Sequence, residues 1–327
     1  MHASPPILVV GISRRSGTNF LASLLSMHQD CAPPRAPLAE DHLLRDAPLL
    51  VQYAQRASER WPLRWGDRAD ARTRLQHHLG KAIEAFLADG VAAPRVVSKT
   101  PNPEHLELVP TLLPDAYVVV LLRDGRSAVQ SLVRGFRFSF RKAVDEWAAG
   151  AAAIIRFQRD VVPANPGMRV MFVRYEDVVA DPEGRLRALL EFCALDPTRF
   201  DFDAARNAPV IGSSFVRAEG GRMTWKPVQR SADFSPTDRF ERWGRAKRER
   251  FEHLAGDLQR DLGYESSRTS GGAWTIYNRA ADALEPVVRA RDRAMHLYES
   301  LTSRKIRKPR TPSGDAPPVE LGAEERA

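Results

Sequence analysis

Residues 7–21 read Ile7-Leu8-Val9-Val10-Gly11-Ile12-Ser13-Arg14-Arg15-Ser16-Gly17-Thr18-Asn19-Phe20-Leu21, and this stretch decides the fold. Its opening apolar run predicts a strand buried on both faces, and the residues from Thr18 onward predict the start of a helix. A tight loop between a buried strand and a helix presents backbone N–H groups and the positive helix end to an anion. The stretch therefore predicts a phosphate-binding loop.

This loop departs from the Walker pattern G-x-x-x-x-G-K-[ST] of nucleoside triphosphatases. Gly11 and Gly17 stand one position too far apart, and Thr18 occupies the place of the lysine. The cations of the loop, Arg14 and Arg15, come before the second glycine. Such a loop can hold the phosphate end of a nucleotide without being built around a β,γ-phosphate and Mg²⁺.

The composition indicates a globular chain and says little about its ligand. The 327 residues are 43% hydrophobic, and much of the net charge of +8 is clustered near the C-terminus. No segment approaches the ~20 consecutive apolar residues of a membrane span. The N-terminus leads directly into the first strand, which predicts a cytoplasmic protein without a signal peptide. Cys31 and Cys193 are predicted to be buried thiols, and no pairing between them is required.

Strand-like and helix-like runs alternate along the first two thirds of the chain. This alternation predicts an α/β fold with a central parallel sheet and helices on both faces. The predicted strands are 7–10, 95–98, 117–122 and 169–173, and the helices include 126–135, 140–160 and 183–193. Residues 31–72 are rich in proline and tryptophan, which predicts an irregular insertion that carries substrate contacts.

Three regions are predicted along the chain. Residues 1–266 form the α/β domain, 267–303 a helical C-terminal extension, and 304–327 a basic, proline-rich tail that we expect to be disordered. Pro286 is expected to kink or interrupt the helix of the extension.

A second anion loop follows the strand 117–122, in the segment Arg123-Asp124-Gly125-Arg126-Ser127-Ala128-Val129-Gln130-Ser131. Ligands of open α/β sheets bind at the carboxyl ends of the strands, where this loop lies. An arginine fork at Arg123 together with the Ser131 hydroxyl suits a phosphate monoester. The alternative is that Asp124 only caps the helix while Arg123 pairs locally.

Taken together, the two loops resemble those of the sulfotransferase family that uses 3′-phosphoadenosine 5′-phosphosulfate (PAPS), with the tyrosylprotein and carbohydrate-type branches nearest. The resemblance covers residues 6–265 and implies a P-loop-like sulfotransferase fold. It implies that the 5′-phosphosulfate is held by Arg15, Ser16, Gly17, Thr18 and Asn19. It further implies that Arg123 and Ser131 hold the ribose 3′-phosphate and that no metal is needed.

Two further segments extend the resemblance. Val97-Ser98-Lys99-Thr100-Pro101 is similar to the family's strand-end lysine segment, which implies that Lys99 stabilises the bridging oxygen as the sulfuryl group departs. The segment around Gly220-Gly221-Arg222-Met223-Thr224-Trp225-Lys226 resembles the loop that closes over the cofactor. Arg222 and Lys226 are then candidates for contacts to its phosphates.

The general base is the least determined residue of the predicted site. The cytosolic phenol and steroid branch places a histidine two residues after the lysine, and this chain has Pro101 there. Other branches use a glutamate in the segment after the first helix, where Glu40 lies. Asp41, His42 and His105 are its rivals.

The predicted function is transfer of a sulfuryl group from PAPS to a hydroxyl group by in-line displacement. The acceptor can be a small molecule, a glycan, a lipid or a peptide, and no nucleic-acid partner is expected. The oligomeric state cannot be predicted from the sequence. The alternatives are a P-loop nucleotide kinase or NTPase, and a non-catalytic module that binds a bisphosphorylated nucleotide.

Overall fold

The structure is a computed structural model that describes residues 4–35, 40–209, 237, 240–266 and 271–305. The strands are β1 (Ile7–Gly11), β2 (Cys31–Ala32), β3 (Arg95–Thr100), β4 (Tyr117–Leu122) and β5 (Arg169–Arg174). The helices are α1 (Thr18–Leu25), α2 (Leu43–Glu59), α3 (Arg68–Ala88), α4 (Val109–Leu112), α5 (Gly125–Phe136), α6 (Phe140–Arg156), α7 (Val162–Ala164), α8 (Tyr175–Ala180), α9 (Pro182–Phe192), α10 (Phe202–Arg206), α11 (Arg245–Asp261) and α12 (Ala273–Lys305).

The five strands form one parallel sheet in the order β2-β3-β1-β4-β5. β1 lies in the middle, with Val9 opposite Lys99 of β3 and Gly11 opposite Leu121 of β4. This register brings the carboxyl ends of β1, β3 and β4 to one edge, where the predicted loops begin. The predicted α/β fold with a parallel sheet is confirmed.

Both faces of the sheet are covered by helices, as the continuous apolar runs of the strands predict. Leu8 and Val10 of β1 point into a core shared with α4, α5, α6 and α11. Ile7 and Val9 point the other way, into a core shared with α1, α8 and α9. The sheet is therefore a rigid central layer that fixes the loops at its carboxyl edge.

The prediction of an irregular insertion at 31–72 is wrong. The segment contains β2, α2, a 3₁₀ turn at Leu63–Trp65 and the first residues of α3. α2 has Pro48 inside it and buries Leu44, Ala47, Ala54 and Ser58, three of them small. Small buried residues and an internal proline weaken the apolar periodicity by which a helix is recognised in a sequence.

One helix covers most of the predicted C-terminal extension. Helix α12 runs through Pro286 without interruption, and Arg304 and Lys305 belong to the helix, not to a tail. Residues 306–327 lie outside the described residues. The chain divides into two compact units, 1–269 and 270–327, and the candidate site lies within the first.

Two simpler predictions can also be compared with the structure. Cys31 and Cys193 are both buried and free, as predicted. Among the helices that the structure describes, none is long and apolar enough to cross a membrane.

Candidate active site

The first loop forms an anion-binding turn at the start of α1. A hydrogen bond from Ser16 N–H to the Ser13 carbonyl closes the turn at 3.2 Å. Gly17 is the N-cap residue with φ of 105°, no side chain caps the helix, and no acidic residue occupies its first turn. The first N–H groups of a helix have no partner within it. The turn therefore presents backbone N–H groups and the positive helix end to an anion.

Ser16 supports the same interpretation. Its hydroxyl oxygen is buried and has no hydrogen-bond partner among the residues that the structure describes. A buried hydroxyl without a partner costs free energy, which an oxygen of a bound phosphate or sulfate would recover. The residues of the loop thus fit the phosphosulfate end that the sequence predicts.

Tyr175, the first residue of α8, lies close to both loops. A Cβ atom at Gly17 would lie 2.5 Å from Cδ2 of the Tyr175 ring, so glycine is required both for its positive φ and for this approach. The guanidinium of Arg123 lies 4.4 Å from the centre of the same ring. Tyr175 is therefore a shared platform for both loops.

The second loop turns Arg123 toward the first loop. Asp124 caps α5 by accepting hydrogen bonds from the N–H groups of Arg126 and Ser127. Arg123 is buried, and its Nη1 donates to the carbonyl oxygen of Arg15 at 2.5 Å. The capping role proposed as an alternative for Asp124 is correct, but Arg123 reaches across to the other loop.

Two arginines and a serine meet at this point, and we call this set the clamp: Arg15, Arg123 and Ser131. Arg15 Nε donates to Ser131 Oγ at 3.2 Å. Burial, together with the nearby charge of Arg123, lowers the pKa of Arg15 to about 10. The half-buried guanidinium of Arg15 and the buried one of Arg123 repel each other, and an anion bound between the loops would relieve this repulsion. Arg15, predicted for the 5′ end, thus has its side chain at the predicted 3′ end.

Buried polar groups hold the backbone of the second loop. Asp124 N–H donates to Glu176 Oε1 at 3.0 Å, and the Tyr264 hydroxyl donates to Glu176 Oε2 at 3.0 Å. Gln259 of α11 donates to Asp124 Oδ2 at 2.8 Å and accepts from Gly125 N–H at 2.9 Å. Burial raises the pKa of Glu176. These contacts from α8 and α11 fix the direction in which Arg123 leaves β4.

Lys99 and Glu40, predicted from separate segments, form an ion pair. Lys99 Nζ lies 3.1 Å from Glu40 Oε1, and the two side chains are 13% and 29% exposed. Burial lowers the pKa of Lys99, while the charge of Glu40 opposes this shift. The pair places a cation and a carboxylate side by side at the carboxyl end of β3. Such a pair can stabilise a leaving oxygen and remove a proton at the same reaction centre.

The three rival base candidates occupy different positions. Asp41 is bonded to the Ser98 hydroxyl and to Leu43 N–H, and burial raises its pKa. His42 Nε2 lies 3.2 Å from Glu40 Oε2. His105 pairs with the exposed Glu107. Of the four candidates, Glu40 is the one whose side chain accepts a hydrogen bond from the Lys99 ammonium group in the described part of the chain.

Arg14 points away from the clamp. Its Nε donates to Glu146 Oε1 of α6 at 2.9 Å, and its guanidinium lies 5.3 Å and 5.0 Å from the rings of Phe136 and Phe138. Glu146 raises the pKa of Arg14. Arg14 therefore anchors the loop to α6, whereas Arg15 belongs to the clamp. Glu146 was missed because an acidic residue inside an amphipathic helix carries no sequence signal.

A cleft of about 160 Å³ opens next to this anchor. Its walls come from the residues after β1 and β3 and from one face of α6: Ile12, Asn102, Pro103, Glu104, Glu146, Ala149, Gly150 and Ala153. Gly150 allows α6 to approach, because a Cβ atom there would collide with the carbonyl of Ile12. The cleft thus lies at the same edge of the sheet as Lys99.

Of the remaining residues predicted to contact the cofactor, the structure describes two and leaves two outside the described ranges. Thr18 is buried at the start of α1, and Asn19 follows it in the first turn. Arg222 and Lys226 lie outside the described residues. Their predicted contacts with the cofactor stay predictions.

The fold and the site define a class. A parallel α/β sheet carries a phosphate loop without the Walker lysine and a second arginine loop at its carboxyl edge. A model of the sulfotransferase family matches residues 5–199, more than half of the chain. The protein belongs to the sulfotransferase family, and the resemblance of the two loops is confirmed.

Individual relatives agree with this assignment. The chain is 26% identical over 203 residues to the protein-tyrosine sulfotransferase of Drosophila melanogaster, covering 57% of this chain and 38% of that protein. It is 25% identical over 204 residues to protein-tyrosine sulfotransferase A of Caenorhabditis elegans, covering 58% and 50%. The chain thus spans half or less of the length of these relatives.

A solved structure shows the same fold. The sulfotransferase domain from the Synechococcus PCC 7002 olefin synthase superposes with a TM-score of 0.50 at 20% identity, covering 81% of this chain and 98% of that domain. At this identity the likeness concerns the fold alone.

Proposed function

We propose that this protein transfers a sulfuryl group from PAPS to a hydroxyl group of an acceptor. The observation that carries the proposal is that the Lys99–Glu40 pair and the clamp lie at the same carboxyl edge of the sheet. A nucleotide kinase requires a lysine after the second loop glycine, and Thr18 stands there.

The donor end is held by the two loops. The backbone donors at the start of α1 and the Ser16 hydroxyl suit the 5′ end of the nucleotide, and Arg123 and Ser131 suit its 3′-phosphate. Arg15 lies in the first loop and donates a hydrogen bond to Ser131 of the second, so it connects the sites for the 5′ end and the 3′-phosphate of the nucleotide. When bound, PAPS supplies the sulfuryl group, and 3′,5′-ADP is the product that leaves.

Lys99 and Glu40 act on the two sides of the transfer. Lys99 Nζ donates to the oxygen on which negative charge develops as its bond to sulfur breaks. Glu40 accepts the proton of the acceptor hydroxyl as the new oxygen–sulfur bond forms. Their ion pair holds both groups at one place before substrates bind.

The acceptor hydroxyl is delivered from the cleft beside α6. An engineered cavity of about 150 Å³ holds one benzene ring, so a cleft of about 160 Å³ suits a single ring. Its apolar walls, including Ile12, Pro103 and Ala149, suit the faces of such a ring. The curated relatives carry the name protein-tyrosine sulfotransferase, and a tyrosyl ring has this size. We therefore infer a phenolic acceptor, on a peptide or on a small molecule.

Calorimetry and a transfer assay test the proposal together. We expect 3′,5′-ADP to bind without added metal, and ATP to bind more weakly whether or not Mg²⁺ is present. Incubation with radiolabelled PAPS and a tyrosine-containing peptide should give a sulfated product by mass, whereas the peptide with serine in place of tyrosine should give much less.

Two outcomes would decide against this function. ATP binding that depends on Mg²⁺ would indicate a kinase or NTPase. Tight 3′,5′-ADP binding without transfer to any acceptor of a cell extract would indicate a binding module.

A further inference from the structure

Glu40 is bonded on both sides of its carboxylate, and the second partner has no role in the function proposed above. Oε1 lies 3.1 Å from Lys99 Nζ, and Oε2 lies 3.2 Å from His42 Nε2. The exposed fraction of the side chains rises from 13% at Lys99 through 29% at Glu40 to 36% at His42. The three groups therefore form a line from the buried end of β3 to solvent.

The backbone holds His42 in an unfavourable conformation. Its φ is 47°, in the left-handed region that residues with a side chain rarely adopt. The residue before His42 is fixed to β3, because Asp41 N–H donates to the Lys99 carbonyl at 3.2 Å while its carboxylate accepts from Ser98 Oγ and Leu43 N–H. Strain of this kind persists where the surrounding contacts fix it, and it is concentrated at functional sites.

A residue in the position of His42 can take a proton from Glu40. A base that has taken a proton from the acceptor must lose it before the next turnover. Lys99, on the other side of Glu40, is a cation and a poor receiver, whereas imidazole accepts and releases protons near neutral pH. The charged groups around the line are Asp41 on the same segment, Lys99 on β3, and Arg14, whose charge interacts with Glu40.

We propose that His42 is a positioning residue that orients the Glu40 carboxylate and passes its proton to solvent. The inference rests on the proposed function. The proton moves from the acceptor oxygen to Glu40 and then to Nε2 of His42, which restores the carboxylate and gives an imidazolium. The imidazolium then loses a proton to water on its exposed side.

The chain contains a matched control pair. His105 Nδ1 lies 3.1 Å from Glu107 Oε1, again two residues apart, and His105 also has a left-handed backbone with φ of 53°. Both side chains are more exposed, at 42% and 54%. This pair shares the spacing and the backbone strain of Glu40 and His42, but the structure shows no bond from it to Lys99.

The test compares His42→Gln with His105→Gln. We expect His42→Gln to lower kcat about tenfold, less than the 10²–10⁴-fold that a positioned base contributes. The KM of the acceptor and the affinity for 3′,5′-ADP should stay close to the wild type. The loss should change with pH and should be reduced by added imidazole buffer, which a purely structural role would not explain. His105→Gln should behave like the wild type.

A second measurement does not depend on turnover. In nucleotide-free protein, the ring ¹⁵N NMR shifts of His42 should change on Glu40→Gln, and those of His105 should not. Equal kcat in His42→Gln and wild type, or a loss that imidazole does not reduce, would overturn the role of His42 and leave the sulfotransferase intact. A wild-type protein that neither binds 3′,5′-ADP nor transfers a sulfuryl group would overturn both.

Discussion

The two ends of the candidate site are built in different ways. At the donor end, Arg123 and Ser131 are almost fully buried, and they meet Arg15 through hydrogen bonds that join one loop to the other. At the transfer end, Glu40 and His42 belong to a short, half-exposed segment that Asp41 ties to β3. The donor end is thus part of the core, whereas the transfer end is attached to its surface.

This difference indicates which end determines nucleotide affinity and which determines turnover. A buried clamp in fixed positions is suited to binding a ligand with little rearrangement. A half-exposed segment can exchange protons with water and can adapt to an acceptor. We therefore expect changes at the transfer end to affect turnover, and changes at the donor end to affect nucleotide affinity.

The largest effect is expected for Lys99→Ala. Loss of one donor to a developing negative charge typically lowers kcat by about 10²–10³-fold. The affinity for 3′,5′-ADP should change little, because the clamp does not include Lys99. Initial rates at saturating PAPS, together with calorimetry, measure both quantities.

A pH profile gives an independent check on Lys99. Burial lowers the pKa of Lys99 from its ordinary value of 10.5. The cationic form is needed, so wild-type activity should fall as the pH rises through a value below 10.5, and Lys99→Arg should move this fall to higher pH. If activity falls at the same pH in Lys99→Arg as in the wild type, deprotonation of Lys99 is not the cause of that fall.

Glu40→Gln is expected to follow, with kcat lower by about 10²-fold, at the low end of the contribution of a positioned base, because the amide cannot take the proton of the acceptor. The side chain keeps its size, so 3′,5′-ADP should bind as in the wild type. Glu107→Gln is the control, since Glu107 is an exposed carboxylate that also pairs with a histidine. Turnover near the wild-type rate in Glu40→Gln would remove Glu40 from the mechanism.

The comparison also shows what the sequence could predict. The donor end could be predicted because its residues follow strands with clear apolar runs. Parallel strands also bring their carboxyl ends together at one edge of the sheet. Arg123 precedes α5 and Ser131 lies on it, and each has a hydrogen bond to Arg15. The direction of the Arg15 side chain, across to Ser131, depends on a left-handed backbone with φ of 72° that no local pattern reveals.

The transfer end could be predicted only in outline. Glu40 was a candidate by resemblance, but its pairing with Lys99 depends on the path of residues 31–72, which the sequence suggested to be irregular. That path is fixed by long-range contacts such as Asp41 with Ser98. Glu146 carries no signal, because an acidic residue on a helix is common in any α/β protein.

At the donor end, Arg123→Lys should weaken 3′,5′-ADP binding about 10- to 100-fold, since hydrogen bonds to charged groups contribute about 1.5–3 kcal/mol. Lysine keeps the charge but loses the fork and the contact with the Tyr175 ring. Arg126→Lys is the control, because Arg126 pairs with Asp124 outside the clamp. Binding of 5′-AMP, which has no 3′-phosphate, should change much less, and an equal loss for both ligands would contradict a 3′-phosphate site.

The smallest effect is expected for Ser131→Ala. One hydroxyl contributes about 0.5–1.5 kcal/mol, which corresponds to a loss of roughly 2- to 10-fold in 3′,5′-ADP affinity. Ser127→Ala is the matched control, because Ser127 is a buried serine one turn earlier on α5 whose hydroxyl donates to the carbonyl of Thr237. At saturating PAPS, kcat should be unchanged in Ser131→Ala. A fall in kcat with unchanged affinity would mean that the clamp also takes part in the transfer, and the division between the two ends would no longer hold.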